Sequence, residues 1–316
     1  ILLPIMVLMM AIMRVLEDRG VLRRIALLLS PVFILFGLPG LGIFALMQIL
    51  FVSFAAPVST LTIMDGNGHI TKRHIAATLA ATLTMSQANA AFPLMAVGLN
   101  FLWLFISSLA GGLLAGILTY RVFSKKLKME EEAESDMKKV DTTSEQNDVE
   151  NSESADNENN EDINKTPKER KSIMRTILSG AEEGFQIVLK AIPLLVLAIL
   201  VVNVLKKVGA VTALESLLSP ALTKIGIPGV AILPIVTKYI AGGTAMMGVA
   251  LKLRMENVLS AVELNRIAGL MVNPFDPVGV AVLSAAGTRV GAVVIPAAKG
   301  AIVGILFRTI IHFIVF

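Results

Sequence analysis

The chain has no cysteine, one tryptophan, two tyrosines and three histidines among its 316 residues. Without thiols there are no disulfides and no thiolate chemistry, although this says little about compartment. His69, His74 and His312 are too few and too scattered for a metal centre, so they are expected to be solvated or interfacial, and no metal or cofactor is expected. There is no paired-carboxylate site, Ser-His arrangement, phosphate loop or dinucleotide fingerprint, which argues against an enzyme. Aromatic platforms are missing beside the basic residues, which argues against nucleic-acid binding. Charge itself is absent from long stretches. Residues 25–64 and 75–120 contain no Asp, Glu, Lys or Arg, and a helix needs only about 20 apolar residues to cross a bilayer.

What remains is 55% hydrophobic, with a mean hydropathy of +0.75. The runs are continuously apolar and do not alternate, which selects helices over a transmembrane barrel. The expectation is an all-α, polytopic, multi-pass protein whose surroundings are the lipid bilayer of the cell (inner) membrane. The first thirteen residues lack a basic start and a small-residue cleavage site, so they read as a membrane helix and not as a signal peptide.

Charge is concentrated where apolar residues are missing. Fourteen of the 24 acidic residues fall between 130 and 162, in a Ser-, Asn-, Glu- and Asp-rich run that has too little apolar surface to fold. Its borders, KKLK at 125–128 and KERK at 168–171, are basic and flank membrane segments, which places this linker in the cytoplasm.

The chain also matches itself. At an offset of 189, residues 4–40 align on 193–229 without a gap, and every glycine and proline of the first window meets its like in the second. LLSP recurs at 28–31 and 217–220, GLPG at 37–40 answers GIPG at 226–229, and GGLLAGIL at 111–118 answers KGAIVGIL at 299–306. Chance apolar similarity matches leucines and valines, not all of the backbone punctuation. The expected organisation is a membrane repeat at 1–123, an acidic linker at 124–170, an interfacial connecting helix at 171–189 carrying Glu182 and Glu183, and a second membrane repeat at 190–316. Arg14, Arg19, Arg23 and Arg24 follow the first helix, whereas its counterpart leaves the cytoplasmic linker, so the repeats are expected to be inverted. Broken helices at matching places in two repeats point to a secondary transporter with its site at their interface, near the membrane midplane.

Within 267–288 the one charged residue is Asp276, in the stretch MVNPFDPVG. In a helix, Pro274 would leave the carbonyl of Leu270 without a partner, and Pro277 would do the same to Asn273. With the Asn273 amide and the Asp276 carboxylate, this gathers acceptors fit for a cation, a proton or the donors of a polar solute. The first repeat offers TMSQANAAFP at 84–93, where Ser86, Gln87 and Asn89 are neutral. Intramembrane acids usually face a pathway or a partner; the structural alternative is that Asp276 caps a half-helix or pairs with Lys238. Lys238 itself either joins the site or snorkels to an interface. GGT at 242–244, with Thr244, and SFAAP at 53–57 occupy comparable small-residue breaks, with tight helix packing as the alternative role.

These GxPG breaks, the NPxDP-like motif and the small-residue helices resemble the nucleoside-recognition, or Gate, domain family, which includes the spore maturation proteins A and B; similar domains occur in concentrative nucleoside transporters and ferrous-iron permeases. Two such proteins fused head to tail would resemble this chain. The resemblance implies a transport fold with nucleosides or nucleobases as the substrate class, and carries the recognition region onto Asn273, Asp276, Ser86, Gln87 and Asn89. Alternating access of a small polar solute, with a proton or sodium ion coupled at Asp276, is the leading expectation. A non-transporting scaffold or signalling partner, or an ion-conducting pore, is the alternative. Glycine and alanine faces left to bury allow a homo-oligomer.

Overall fold

The computed structural model describes residues 37–127, 173–182 and 229–316, together with 129 and isolated positions within 7–33 and 185–227. The acidic linker and most of the two matching windows at 4–40 and 193–229 lie outside the described residues. Among the described residues there is no strand, and the protein is built from helices.

The first group contains α1 (Gly40–Phe51), α2 (Pro57–Gly66), α3 (Lys72–Thr84), α4 (Ala88–Met95) and α5 (Phe101–Leu118), the last extended by a π turn at Thr119–Phe123. After a 3-10 turn at Gly229–Ala231 come α6 (Ile232–Ala241), α7 (Gly243–Met255), α8 (Ala261–Met271), α9 (Pro277–Ser284), the short α10 (Thr288–Ala292) and α11 (Val294–Val315). The order is the same in both groups. Two helices meet at a short break, two more meet at another, and a long helix closes the set.

Local chemistry explains these boundaries. The α1–α2 corner turns at Ser53, whose Oγ accepts from Ala56 N at 3.2 Å, and Pro57 starts α2 where no donor is needed. Thr60 Oγ1 then donates to Gln48 Oε1 at 2.7 Å, closing the hairpin with a buried polar bridge. The α6–α7 corner is Gly242, whose φ of 86° suits a residue without Cβ. Ser260 and Glu263 form a reciprocal capping box that starts α8. SFAAP and GGT therefore sit at the corners of two helical hairpins, in the comparable positions their sequences indicate.

Helices α3, α5, α8 and α11 form the centre, with α11 packed on the other three. The GGLLAGIL and KGAIVGIL stretches are where α5 and α11 meet. A Cβ on Gly304 would lie 2.6 Å from Gly111 O, and one on Gly111 would lie 2.3 Å from Arg308 Cγ, so only bare backbone allows this approach. The outer face of α11 carries Ile295, Ile302, Leu306, Ile310 and Ile314, all exposed. The helical segments 101–123 and 294–315 are the two, among the described residues, long and apolar enough to cross a membrane.

Contacts between the groups are reciprocal. The end of α2 docks beside α10: Val290 N donates to Asp65 Oδ1 at 2.9 Å, and Arg289 Nη1 donates to Asp65 O and Asn67 O at 2.9 and 3.0 Å. Conversely, the α7–α8 end docks on the turn after α4. Arg254 Nε donates to Val97 O at 2.8 Å, Asn265 Nδ2 to Gly98 O at 2.8 Å, and Asn100 N to Asn265 Oδ1 at 2.7 Å. Each group thus grips the segment just beyond the helix that follows the other group's second break. In the connecting segment, 173–182 is helical, and Thr176 Oγ1 donates to Asp18 Oδ2 at 2.6 Å.

Candidate functional site

Both polar motifs interrupt helices. After α3, Met85 (φ −73°, ψ 159°) and Gln87 (φ −92°, ψ 127°) are extended before α4 resumes. After α8, residues 272–276 are non-helical, and Asp276, extended at φ −142° and ψ 168°, starts α9 with Pro277 behind it. Buried helix ends need partners for their unpaired backbone groups.

The second break supplies them from its own side chains. The Leu270 carbonyl that Pro274 leaves free accepts from Asn273 Nδ2 at 2.8 Å and from the Tyr239 hydroxyl at 3.1 Å. Asn273 Oδ1 accepts from Phe275 N at 3.0 Å. Asp276 divides its carboxylate: Oδ1 accepts from Gly279 N at 2.8 Å and caps α9, while Oδ2 takes the Lys238 ammonium. Lys238 is fully buried and the Asp276 side chain is 4% exposed, so this is an interior ion pair. Of the two outcomes left open for Lys238, the structure has it paired inside and not snorkelling. Both structural roles open to Asp276, capping and pairing, occur together.

The first break has two sides. Ser86 turns inward, with its N donating to Ser108 Oγ at 3.2 Å, its Oγ 2.5 Å from Ser108 Oγ, and Arg308 Nη2 donating to it at 2.7 Å. Gln87 turns to the other group. A Cβ on Gly243 would lie 2.1 Å from Gln87 Nε2, so the amide rests on the bare backbone of the α6–α7 corner. Asn89 is 9% exposed, and its Oδ1 has no partner among the described residues. Thr244 is half-buried one residue beyond Gly243.

The seven candidates therefore separate into three sets. Asp276 and Lys238 form an ion pair, and Asn273 lies in the same break as Asp276, bonded to Leu270 O and Phe275 N. Gln87 comes against the Gly243–Thr244 corner, with Asn89 two residues further along the same break. Ser86 belongs to the packing behind them.

Arg308 was missed by reading the sequence. It is wholly buried in α11 and reaches both breaks, donating through Nη1 to Thr84 O, the last residue of α3, and to Val272 O at 3.2 Å, just after α8. A guanidinium suits this place, since helix C-termini leave carbonyls unpaired and carry partial negative charge. Its signal was available, because an arginine inside a long apolar helix is itself costly. The expectation for His312 is corrected: it is 1% exposed, with Nε2 2.9 Å from Ser107 Oγ. Packing of α11 on α5 buries it, one turn beyond Arg308.

Residues 1–102 match the Gate family model, described as nucleoside recognition. The fold is similar to that of CNTnw in an outward-facing state, with a TM-score of 0.65 at 18% identity, covering 99% of this chain and 74% of that one. An inward-facing, substrate-bound CNTnw gives 0.64 at 19% identity, over 99% and 73%. An intermediate state of CNTnw gives 0.59 at 18%, over 100% and 76%. No curated protein matches the sequence. The described residues are all-helical and share the fold of CNTnw, and residues 1–102 carry the Gate nucleoside-recognition match.

Proposed function

We propose that the protein is a secondary transporter of a small polar solute, a nucleoside or nucleobase, working by alternating access at the two helix breaks. One observation carries this reading: breaks from separate groups are brought together, with Gln87 lying on the α6–α7 corner beside the break that holds Asn273 and Asp276, the latter paired with Lys238 of α6. Buried amides and an ion pair can recognise hydroxyl, carbonyl and amine groups, whereas a purely structural break needs only to satisfy its own backbone. The Gate match and the fold shared with a concentrative nucleoside transporter support nucleosides as the solute class.

In this reading the chain is two inverted repeats, at 1–123 and 190–316, joined by a cytoplasmic linker and a connecting helix. The common helix order and the reciprocal docking of Asp65 and Asn265 support that organisation. Asp276 couples to a proton or a sodium ion, and the exposed apolar face of α11 allows a homo-oligomer in the inner membrane.

The test is uptake of labelled uridine, adenosine and uracil by proteoliposomes containing the full chain, compared with Asp276→Asn. Uptake by the native protein, lost in a folded Asp276→Asn variant, is expected; absence of all uptake by a folded native protein would overturn the reading. A second reading has its own observation. Asp276 already caps α9 and pairs with Lys238, as a structural acid in a scaffold or signalling protein would. It predicts that Asp276→Asn changes abundance or partner capture without touching flux.

A further inference from the structure

A carboxylate in an apolar interior needs a counter-charge, and Asp276 has one covalently built into the chain. Lys238 approaches from α6, 38 residues away in sequence, and its ammonium takes Oδ2 while Gly279 N holds Oδ1. Both carboxylate oxygens are therefore occupied. Asp276 Oδ2 is the acceptor found for the Lys238 ammonium among the described residues; the Tyr239 ring is 5.9 Å away, at the limit of a cation–π contact.

Among the described residues, Lys238 is the ion-pair partner found for this carboxylate. Next to Lys238, the Tyr239 hydroxyl is committed to Leu270 O. From α11, the Arg308 guanidinium is committed to Thr84 O, Val272 O and Ser86 Oγ. From α2, Asp65 is held by Val290 N, and Arg289 of α10 caps the carbonyls of Asp65, Asn67 and Ile70. On α7, Lys252 and Arg254 sit in the last turn, whereas the α6–α7 corner is at its start. On α8, Glu263 is in the first turn and Arg266 lies mid-helix, and on α3 Lys72, Arg73 and His74 begin the helix, whereas both breaks follow the C-terminal ends.

We infer that Lys238 is a tethered counter-ion for Asp276, and that the pair is a proton switch which takes the place of a bound sodium ion. The ammonium fills the position in which a mobile cation would neutralise the carboxylate. A sodium ion would bring a second positive charge into the same dry site, so it is not required. A proton acts differently. Asp276 takes one proton from a hydronium ion: an O–H bond of the hydronium breaks as one forms at Oδ2, leaving water and a neutral acid. Lys238 keeps its three protons and loses its acceptor. An oxygen of the solute can then accept from the freed ammonium. The empty site is electrically neutral and the loaded site carries one positive charge.

The role in a transport cycle rests on the function proposed above, but the switch can be measured without transport. Infrared titration of the purified full chain in sodium-free buffer reads the carbonyl stretch of protonated carboxylic acids from alkaline to acid pH. Against the signal of the other Asp and Glu residues, we expect one component of the carboxylic-acid band in the native protein that is absent in Asp276→Asn and moved in frequency in Asp276→Glu. Lys238→Met should raise its midpoint by about one pH unit or more, since an unpaired buried carboxylate resists ionisation. Sodium should leave the native midpoint unchanged and lower it in Lys238→Met, where the cation position is vacant.

A native carboxylate that never protonates while the protein stays folded would overturn the switch, and so would a native midpoint that sodium moves. The sodium arm needs no variant, so a misfolded mutant does not rescue the idea. An intact titration without uptake of uridine, adenosine or uracil would remove the transport reading and leave the switch standing; uptake without the titration would do the reverse.

Discussion

Arg308 donates its Nη2 to Ser86 Oγ at 2.7 Å, across 222 residues of sequence, and so ties the closing helix to the first break. Its Nη1 bonds to Thr84 O and Val272 O extend the same tie to the second. One side chain thus satisfies backbone at both interruptions. Arg308→Met is expected to leave Thr84 O and Val272 O buried without this donor, at a cost of about 1–3 kcal/mol for each unsatisfied group. Arg308→Lys should recover only part of the loss, because a point charge cannot reproduce the planar fork. Chemical denaturation followed by the single tryptophan, Trp103, measures both variants.

Two glycines distinguish a site contact from a structural one. A Cβ on Gly243 would lie 2.1 Å from the end of the Gln87 side chain, which can swing away, whereas one on Gly279 would lie 2.0 Å from the Pro274 carbonyl oxygen, which cannot. Gly243→Ala is therefore expected to keep the fold and weaken solute binding by about tenfold, about 1.4 kcal/mol. Gly279→Ala should lower the melting temperature and yield of folded protein before binding can be measured. Thermal melts with and without nucleoside separate the two.

The clasps between the groups should be independent. Asn265→Ala strands Asn100 N and Gly98 O, and Asp65→Ala strands Val290 N. Each is expected to cost about 1–3 kcal/mol. Because the two clasps share no partner, the double variant should be additive to within about 0.5 kcal/mol. A larger coupling would show that the groups move as one block. Urea titrations of the two single variants and the double decide this.

At Leu270 the opposite is expected. Asn273 and Tyr239 both donate to its carbonyl, so Asn273→Ala leaves one donor and Tyr239→Phe leaves the other. The pair of changes together should cost more than the sum of the singles, because only then is the carbonyl unpaired. A double-mutant cycle on the unfolding free energy measures the excess.

Much of the outline of the two helix breaks was legible in the sequence. Pro274 removes a backbone donor wherever it sits in a helix, so the freed Leu270 carbonyl could be expected, and the structure has two side chains on it. The breaks at 84–93 and 271–279 stood out because polar residues and prolines interrupt apolar runs. The inward turn of Ser86 could not be read that way, since a break lists polar groups without saying which face each one takes. Arg308 escaped because the search favoured isolated acids, and His312 was misplaced because closeness to the end of the chain says nothing about the helix packed beside it.

By itself, the sequence determined that the chain is helical and membrane-embedded, and where its helices stop: apolar run length, proline's missing donor and glycine's backbone freedom are local properties. Only the tertiary structure decided that Lys238 meets Asp276, that Gln87 rests on the α6–α7 corner, and that Arg308 reaches both breaks. These choices depend on which helices lie side by side. Apolar periodicity says which face a helix buries but not what it buries it against, and a charge in an apolar segment shows only that a partner is needed, not where along the chain it lies.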